Sequence, residues 1–362
     1  MTIQEMVPLA PLTTLRVGGA ARYFAEAKSE AEVSEAVQFA KVRNLPLFVL
    51  GGGSNLVVAD SGWPGLVLKI AIGGIALADA GGGVLFSAGA GVNWDDLVAQ
   101  AVAQNCAGVE CLSGIPGSVG GTPVQNVGAY GQEVADTIES VRALDTRALD
   151  TKANRIVVLP KPACAFRYRS SIFNTTGQGR YIILQVNYRL KRGGPPTLKY
   201  ADLQKRFALR LADKKTQPSL AEVREAVREI RRGKGMLIVP GDEDCRSAGS
   251  FFKNPVLTEQ QFKELAAQAS SRSLEIPSYP ALDAQHKVSA AWLVEHSGFS
   301  KGYTAGAAGI SRKHSLALIN RGEAKAGDII GLRDEILRAV QKTWGVRLEP
   351  EPVFLGFQDC SL

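Results

Sequence analysis

The hydrophobic pattern of the first half of the chain predicts short strands with two helices among them. Apolar runs bounded by glycine, proline or asparagine are typical of strands. The predicted strands cover residues 22–27, 47–50, 56–58, 66–70, 75–78, 84–88, 138–144, 155–159 and 181–190. One helix begins at Ser29, with Glu32 placed to complete a capping box, and another begins at Asn93. The pattern therefore predicts an α+β N-terminal half.

The second half contains longer amphipathic segments. Residues 191–218 are rich in Lys, Arg and Pro, and we interpret them as a connection. Ser219 then begins a helix with a capping box to Glu222. Further helices are predicted over residues 258–270, 288–296 and 328–344, and extended segments over 316–320 and 346–354. This alternation predicts a smaller C-terminal α/β domain.

Composition narrows the class of protein. Of 362 residues, 45% are hydrophobic and 21% are charged, which is ordinary for a globular protein. The N-terminal segment lacks the basic start and apolar core of a signal peptide, and no apolar run reaches the length of a membrane helix. Five cysteines fit no disulfide framework, and three scattered histidines fit no metal site. We expect a cytoplasmic protein without a metal ion and without membrane contact.

The net charge of +7 has two interpretations. It is either a general bias of the surface or an attraction for anionic small molecules such as nucleotides. Basic residues do not form a long tract with interleaved aromatic residues, so nucleic-acid binding is not expected.

Two glycine-rich segments carry the strongest chemical signal. Residues 111–132, which we call the cofactor loop, contain six glycines, two prolines and no charged residue. A second cluster, Gly51-Gly52-Gly53-Ser54-Asn55, follows a predicted strand, and we call its first three residues the triple-glycine turn. Successive glycine N–H groups form concavities that bind phosphate oxygens. Neither segment fits a Rossmann or P-loop fingerprint. We predict a large, flat, phosphate-bearing cofactor; a glycine-rich surface loop is the alternative.

Five motifs in a fixed order make the chain resemble a known family. They are Gly51-Gly52-Gly53-Ser54-Asn55, residues 115–121 running into 125–131, and residues 166–173, 248–255 and 348–351. Together they are similar to the UDP-N-acetylenolpyruvoylglucosamine reductase family. The resemblance implies an α+β fold of the vanillyl-alcohol-oxidase type. Its predicted parts are two FAD-binding subdomains, residues 1–73 (with a strand in 350–362 returning to it) and 74–235, and a C-terminal α/β substrate domain, residues 236–349.

The resemblance also implies an activity. The family reduces an enolpyruvyl ether of a UDP-sugar to a lactyl ether, which yields UDP-N-acetylmuramate for peptidoglycan. It implies non-covalently bound FAD, NADPH as the reductant, and UDP-N-acetylenolpyruvoylglucosamine as the second substrate. We expect the protein to be a monomer.

The family's functional positions fall on specific residues of this sequence. By resemblance, the catalytic residues are Arg169, Ser250 and Glu351. The predicted FAD-binding residues are Gly51, Gly52, Gly53, Ser54, Asn55, Gly117, Ser118, Gly120, Gly121, Thr122, Asn126, Gly128, Ala129, Tyr130 and Arg231. The predicted substrate-binding residues are Tyr168, Tyr200, Lys234, Gly249, Asn254 and His314. Tyr200 marks the subgroup that has a tyrosine loop, which would close over the nucleotide.

The reaction explains why these residue types are needed. Hydride addition beside a carboxylate builds negative charge there, and the planar fork of Arg169 matches a carboxylate. Ser250 is the candidate donor of the proton that the carbon then takes. We expect Glu351 to hydrogen-bond the intermediate or to orient Arg169 or Lys234, and Glu349 is the close alternative.

Three features depart from the family pattern. His314 stands where many relatives carry a glutamine near the uridine. The span from Lys234 to Ser250 is longer than in those relatives and contains three acidic residues. Arg231 and Arg232 both compete for one arginine role.

Two other functions remain open. One is an oxidase of small alcohols or sugars on the same flavin fold, although no histidine precedes residue 286 to attach the flavin covalently. The other is a nucleotide-sugar-binding protein without catalysis.

Overall fold

A computed structural model describes residues 1–147, 155–213, 217–281 and 284–357. The chain divides into two compact units. The N-terminal unit comprises Met1–Val7, Ala21–Gly53 and Pro64–Gly233. The C-terminal unit comprises Pro8–Ala20, Ser54–Trp63 and Lys234–Leu362. The division of residues 1–235 into two subdomains, with 236–349 as a third domain, stays a prediction.

The described residues form helices and strands throughout both units. The helices are α1 Glu30–Val42, α2 Trp94–Ala103, α3 Ala201–Arg206, α4 Ala208–Asp213, α5 Leu220–Gly233, α6 Glu259–Ser270, α7 Ala290–Glu295 and α8 Ala326–Trp344. The strands are β1 Ile3–Pro8, β2 Ala20–Ala27, β3 Leu47–Leu50, β4 Leu56–Val58, β5 Trp63–Ile70, β6 Ile75–Ala80, β7 Gly83–Gly89, β8 Cys106–Ala107, β9 Gly128–Ala129, β10 Gln132–Glu133, β11 Ile138–Asp145, β12 Arg155–Pro160, β13 Tyr181–Arg192, β14 Val256–Leu257, β15 Ser278–Pro280, β16 His286–Val288, β17 Thr304–Ala305, β18 Ala308–Ile310, β19 Leu318–Asn320 and β20 Val353–Leu355.

A small sheet with the order β1-β2-β5-β3 begins the N-terminal unit. Helix α1 buries one apolar stripe, in which Val33, Ala36, Val37 and Ala40 recur at helical spacing. Its predicted N-cap is correct, since Ser29 Oγ accepts from Glu32 N–H at 3.2 Å. The other half of the expected capping box differs, because the Glu32 carboxylate accepts from Lys28 N–H instead.

The larger sheet of the same unit is antiparallel throughout, with the order β12-β11-β13-β7-β6, and β8 also pairs with β13. Helix α2 begins as predicted, because Asn93 Oδ1 accepts from the N–H groups of Asp95 and Asp96. Trp94 and Leu97 of α2 are fully buried in the same core as Phe86 of β7. This core fixes the strand ends from which the cofactor loop departs.

The described residues of the C-terminal unit form three small sheets. Strands β20 and β4 pair in parallel, while β14-β16-β15 and β17-β18-β19 are antiparallel. Helices α6, α7 and α8 contribute to one core with these strands. The α6 N-terminus has a capping box between Thr258 and Gln261. No helix among the described residues is both long and apolar enough to cross a membrane.

Three predicted elements need correction. The connection expected over 191–218 contains α3 and α4, because Leu203 is buried under a segment that otherwise looks like a charged linker. The helix expected over 288–296 begins at Ala290, since the preceding residues complete strand β16. The extended segment expected over 346–354 forms a strand only from Val353 onward, and before it Pro350 makes an isolated bridge with Phe252. Part of the returning strand predicted in 350–362 lies outside the described residues.

The described cysteines are free thiols. Cys106, Cys111, Cys164 and Cys245 are buried and unpaired with one another, and Cys360 lies outside the described residues. Burial raises the pKa of the Cys164 thiol to about 11. These thiols are therefore protonated and inert at neutral pH.

Candidate active site

The triple-glycine turn packs directly on the cofactor loop. A Cβ at Gly52 would lie 2.5 Å from Gly117 Cα, and a Cβ at Gly51 would lie 2.8 Å from Ser118 Oγ. Gly53 and Gly117 have φ of +65° and +134°, which side-chain-bearing residues rarely adopt. Glycine is thus required here first for the contact between two loops of this chain.

Ser118 supplies evidence that this contact also faces a ligand. It is only 8% exposed, and its Oγ makes no hydrogen bond to any residue that the structure describes. A buried hydroxyl without a partner is rare and calls for an explanation such as a bound polar group. Hydroxyl and glycine backbone are groups that bind phosphate oxygens, so these residues fit a diphosphate-bearing cofactor such as FAD.

Other predicted FAD-binding residues hold the loop in shape. A Cβ at Gly120 would lie 2.7 Å from Ala90 Cβ, whereas Gly121 has room, with 3.9 Å to Ser118 Oγ. The Thr122 hydroxyl lies 2.7 Å from the Tyr188 hydroxyl and donates to Val119 O. The Thr122 side chain is therefore engaged inside the protein.

Asn126 has the same internal role. It has φ of +47° and is almost fully buried. Its Nδ2 donates to Glu133 Oε2 and to Arg167 O, and its Oδ1 accepts from Ala135 N–H. Asn tolerates this left-handed conformation better than most residues, which explains its presence at the turn.

Arg169 lies beside the cofactor loop. Its Nη2 donates to Gly128 O at 3.0 Å, and Gly128 and Ala129 form strand β9. Arg169 has φ of +52° at the tip of a tight turn closed between Arg167 and Ser170. Its guanidinium lies 5.4 Å from the Tyr168 ring centroid. The structure thus brings together Arg169, Tyr168 and the predicted FAD-binding residues 128–129.

Arg231, rather than Arg232, reaches the cofactor loop. Arg231 is buried and donates from Nε to Gly114 O at 3.1 Å, whereas Arg232 is exposed. Burial lowers the pKa of Arg231, and a hydrogen bond with Tyr130 opposes that shift. Tyr130 has φ of +51°, and its ring lies edge-on to Tyr200 with centroids 5.1 Å apart.

Asp95 fixes the start of the cofactor loop. Its Oδ1 accepts from Gly114 N–H and Arg224 Nη1, both at 2.6 Å. Its Oδ2 accepts from Arg224 Nη2 at 2.9 Å and from Arg228 Nη1. Burial alone would raise the pKa of Asp95, but these bonds and the two positive charges outweigh it and hold the pKa below its usual value.

We expect Asp95→Asn to destabilise the fold by about 2–3 kcal/mol at pH 7, because two arginines lose their counter-ion. Since the folded-state pKa is lowered, the contribution is present above about pH 4, near the unfolded value, and disappears as pH falls through the folded-state value. Urea unfolding of parent and variant at pH 7 and pH 3 measures this. The exposed Asp96→Asn is the control. An equal difference at both pH values would contradict the prediction.

In the C-terminal unit, Ser250 and Glu351 lie on neighbouring backbone segments. Glu351 N–H donates to Phe251 O at 2.8 Å, and Phe252 bridges Pro350. Gly249 has φ of +76° and open space around its Cβ position, so glycine is favoured there by the backbone conformation and not by close packing. The two predicted catalytic residues of this unit are therefore brought together.

Glu351 and its alternative, Glu349, lie in different surroundings. Asn55 Nδ2 donates to Glu351 O at 3.2 Å, and Val353 N–H donates to Asn55 O at 3.0 Å. Glu349 is 70% exposed in its side chain and pairs with Lys253. Ser54 O accepts from the Thr14 hydroxyl. Ser54 and Asn55 thus lie in the C-terminal unit, apart in the chain division from Gly51–Gly53.

The remaining predicted substrate residues also lie in this unit. Asn254 Oδ1 accepts from Ala290 N–H at the start of α7. Burial, together with the positive charges of Lys234 and Lys301, lowers the pKa of His314 to about 4. His314 is therefore neutral at physiological pH and near Lys234.

Two of the acidic residues between Lys234 and Ser250 have basic partners. Buried Asp244 accepts from Arg312 N–H at 2.9 Å and from Arg312 Nε at 3.1 Å, and Asp242 accepts from Lys313 Nζ at 2.5 Å. These bonds hold the two residues that precede His314.

Sequence reasoning missed several residues of this arrangement. Asp95 and Tyr188 were not singled out, and neither were Glu110, Gln132 or Thr197. Glu110 did carry a signal, since it is a lone charge in the otherwise uncharged run from Asn105 to Gln132. The other four make contacts that join distant parts of the sequence.

Comparison with known proteins places the chain in a family. A FAD binding domain model matches residues 21–148, and a model of the UDP-N-acetylenolpyruvoylglucosamine reductase C-terminal domain matches residues 240–355. These matches confirm the predicted α+β fold with an FAD-binding part followed by the reductase C-terminal domain.

Relatives cover nearly the whole chain. A Streptomyces coelicolor protein named UDP-N-acetylenolpyruvoylglucosamine reductase is 44% identical over 98% of this chain and 91% of its own length. A Thermobifida fusca protein of the same name is 42% identical over 97% of both chains. The crystal structure of the Thermus caldophilus reductase is 26% identical, with a TM-score of 0.64, over 98% of this chain and 100% of its own. The chain belongs to the UDP-N-acetylenolpyruvoylglucosamine reductase family.

Proposed function

We propose that this protein reduces UDP-N-acetylenolpyruvoylglucosamine to UDP-N-acetylmuramate in peptidoglycan precursor synthesis, with FAD as cofactor and NADPH as reductant. The observation that carries the proposal is 44% identity to a named reductase over 98% of the chain, which spans both the FAD-binding and the C-terminal part. The partnerless hydroxyl of Ser118 at the contact of two glycine segments supports the cofactor.

Bound FAD would supply the hydride-transfer chemistry that links NADPH to the enol ether. The residues proposed to hold it are the triple-glycine turn with Ser54 and Asn55, the glycines and polar residues of the cofactor loop, and Arg231. Arg231 donates to the carbonyl of Gly114, and Asp95 accepts from its N–H. These two hydrogen bonds keep the cofactor loop in one conformation. A preformed loop lowers the entropic cost of ordering that would otherwise oppose cofactor binding.

Arg169 is proposed to bind the substrate carboxylate. The planar guanidinium of an arginine can bind a carboxylate through two parallel N–H···O hydrogen bonds. The bond to Gly128 O and the turn between Arg167 and Ser170 restrict its rotamers. As negative charge grows on the carboxylate during hydride addition, a fixed cation stabilises the transition state more than the ground state.

Ser250 is proposed to donate the proton that completes the reduction, and Glu351 to orient groups around the same carbon. Both are held by backbone bonds of the buried Phe251. Tyr168, Tyr200, Lys234, Gly249, Asn254 and His314 are proposed to bind the sugar nucleotide. Because His314 Nδ1 accepts from Leu316 N–H at 3.2 Å, a neutral His314 would offer that ligand its Nε2–H as an uncharged donor.

We also propose that the protein is a cytoplasmic monomer whose product supports cell shape and cell division through the supply of peptidoglycan. The buried free thiols support a reducing compartment. Light scattering of the purified protein tests the monomer, and a dimer mass would contradict it.

Colour provides the test of the proposed function. The purified protein should be yellow, should bleach anaerobically with NADPH, and should recover its absorbance when the enolpyruvyl sugar nucleotide is added. Bleaching without recovery would favour an oxidase on the same fold. A colourless protein that cannot be loaded with FAD would favour a nucleotide-sugar-binding protein.

A further inference from the structure

A buried carboxylate lies at the base of the cofactor loop, outside the predicted site. Glu110 is 0% exposed, and the groups that its carboxylate accepts from among the described residues are all N–H groups. Its Oε2 accepts from Gly108 N–H at 2.7 Å. Its Oε1 accepts from Thr197 N–H and from Gln132 Nε2, both at 2.8 Å. Glu110 thus joins three backbone segments at one point.

The two end residues of the cofactor loop, Cys111 and Gln132, also form hydrogen bonds with Thr197. Gln132, 4% exposed, donates from Nε2 to Thr197 Oγ1 at 3.0 Å and accepts from Cys111 N–H at 2.8 Å. The Cys111 thiol donates to Thr197 O at 3.1 Å. The N–H, hydroxyl and carbonyl of Thr197 are therefore all bound by residues 110, 111 and 132.

Thr197 lies three residues before Tyr200 in the chain. Pro195 and Pro196 precede it and restrict the backbone, and helix α3 begins directly after Tyr200. The Tyr200 ring packs edge-on against Tyr130 of the cofactor loop. A Cβ at Gly131 would lie 3.0 Å from Lys199 Cβ, so the backbones approach closely here as well.

We propose that Glu110 is a positioning residue for substrate binding, which fixes Tyr200 by anchoring Thr197 to the two ends of the cofactor loop. This proposal rests on the proposed function, in which Tyr200 contacts the sugar nucleotide. A carboxylate is required because every partner donates a hydrogen. A glutamine at this position would direct its own N–H₂ group at one of those donors. That donor would then be buried without an acceptor.

The test compares Glu110→Gln with Glu139→Gln, whose parent carboxylate pairs with Arg189 on the surface of the same unit. We expect Glu110→Gln to retain FAD and to bleach with NADPH within about twofold of the parent rate. Its KM for the enolpyruvyl sugar nucleotide should rise about tenfold, with kcat within about threefold. The control should change none of these values.

A double variant separates positioning from general destabilisation. In a Tyr200→Ala background, Glu110→Gln should raise KM no further, because the residue it positions is already gone. An equal rise in both backgrounds, or no rise in either, would overturn the proposal. Failure of the proposed function would show differently, as a parent protein that the sugar nucleotide does not reoxidise.

Thr197→Val covers the case in which Glu110→Gln does not fold. It removes only the hydroxyl that Gln132 holds, and we expect KM to rise about three- to tenfold with FAD retained. An unchanged KM in this variant would overturn the proposal.

Discussion

Replacing Ser250 with alanine is expected to slow substrate-driven reoxidation of the protein by about 10²–10⁴-fold, the usual contribution of a positioned proton donor. FAD content and the rate of bleaching by NADPH should stay at parent values, because neither step uses the hydroxyl. Stopped-flow absorbance, with each half of the reaction measured separately, provides the readout.

The contacts around Ser250 indicate that this variant keeps the parent fold. Phe251 and Phe252 are buried, and Phe251 is bonded through its N–H to Leu316 O and through its carbonyl to Glu351 N–H. Loss of one oxygen at the neighbouring residue leaves these contacts intact. Ser271→Ala, at the exposed C-terminal end of α6, is the control. Reoxidation of Ser250→Ala at the parent rate would remove Ser250 from the mechanism.

Local signals in the sequence predicted the fold well. The box of Ser219 with Glu222 and the cap at Asn93 involve neighbours in the chain, and both are present in the structure. Helices α3 and α4 were not predicted, because each has only six residues, too few to show a helical hydrophobic period. What holds α3 is tertiary packing of Leu203 against residues such as Val223.

The candidate site was predictable in composition but not in detail. Glycine content indicated close backbone approach, yet the sequence could not show that Gly52 approaches Gly117, 65 positions away. Thr122 and Asn126 carry polar atoms that suit a ligand, but in the structure these atoms form hydrogen bonds with other residues of the protein. The choice between Arg231 and Arg232 depends on which face of α5 is buried near its end, a tertiary property.

Gly52→Ala is expected to lose most bound FAD and to destabilise the N-terminal unit by about 1–3 kcal/mol, the typical effect of overpacking. The added Cβ would lie 2.5 Å from Gly117 Cα, 2.8 Å from Gly117 C and 3.0 Å from Ser118 N, all backbone atoms. The two loops must separate, which moves the Ser118 hydroxyl away from its place. We expect the Kd for FAD to rise at least about tenfold, or about 1.4 kcal/mol.

Gly73→Ala is the matched control, because no atom lies within 4 Å of the Cβ position at Gly73 and its φ is not in the left-handed range. Fluorescence titration of the apoprotein with FAD compares the two variants, and urea unfolding without FAD measures the packing effect alone. If Gly52→Ala loses stability but binds FAD as tightly as the control, the contact of the two loops serves only the fold. If FAD affinity falls by more than the apoprotein's loss of stability explains, the close approach of Gly52 to Gly117 shapes the cofactor site itself.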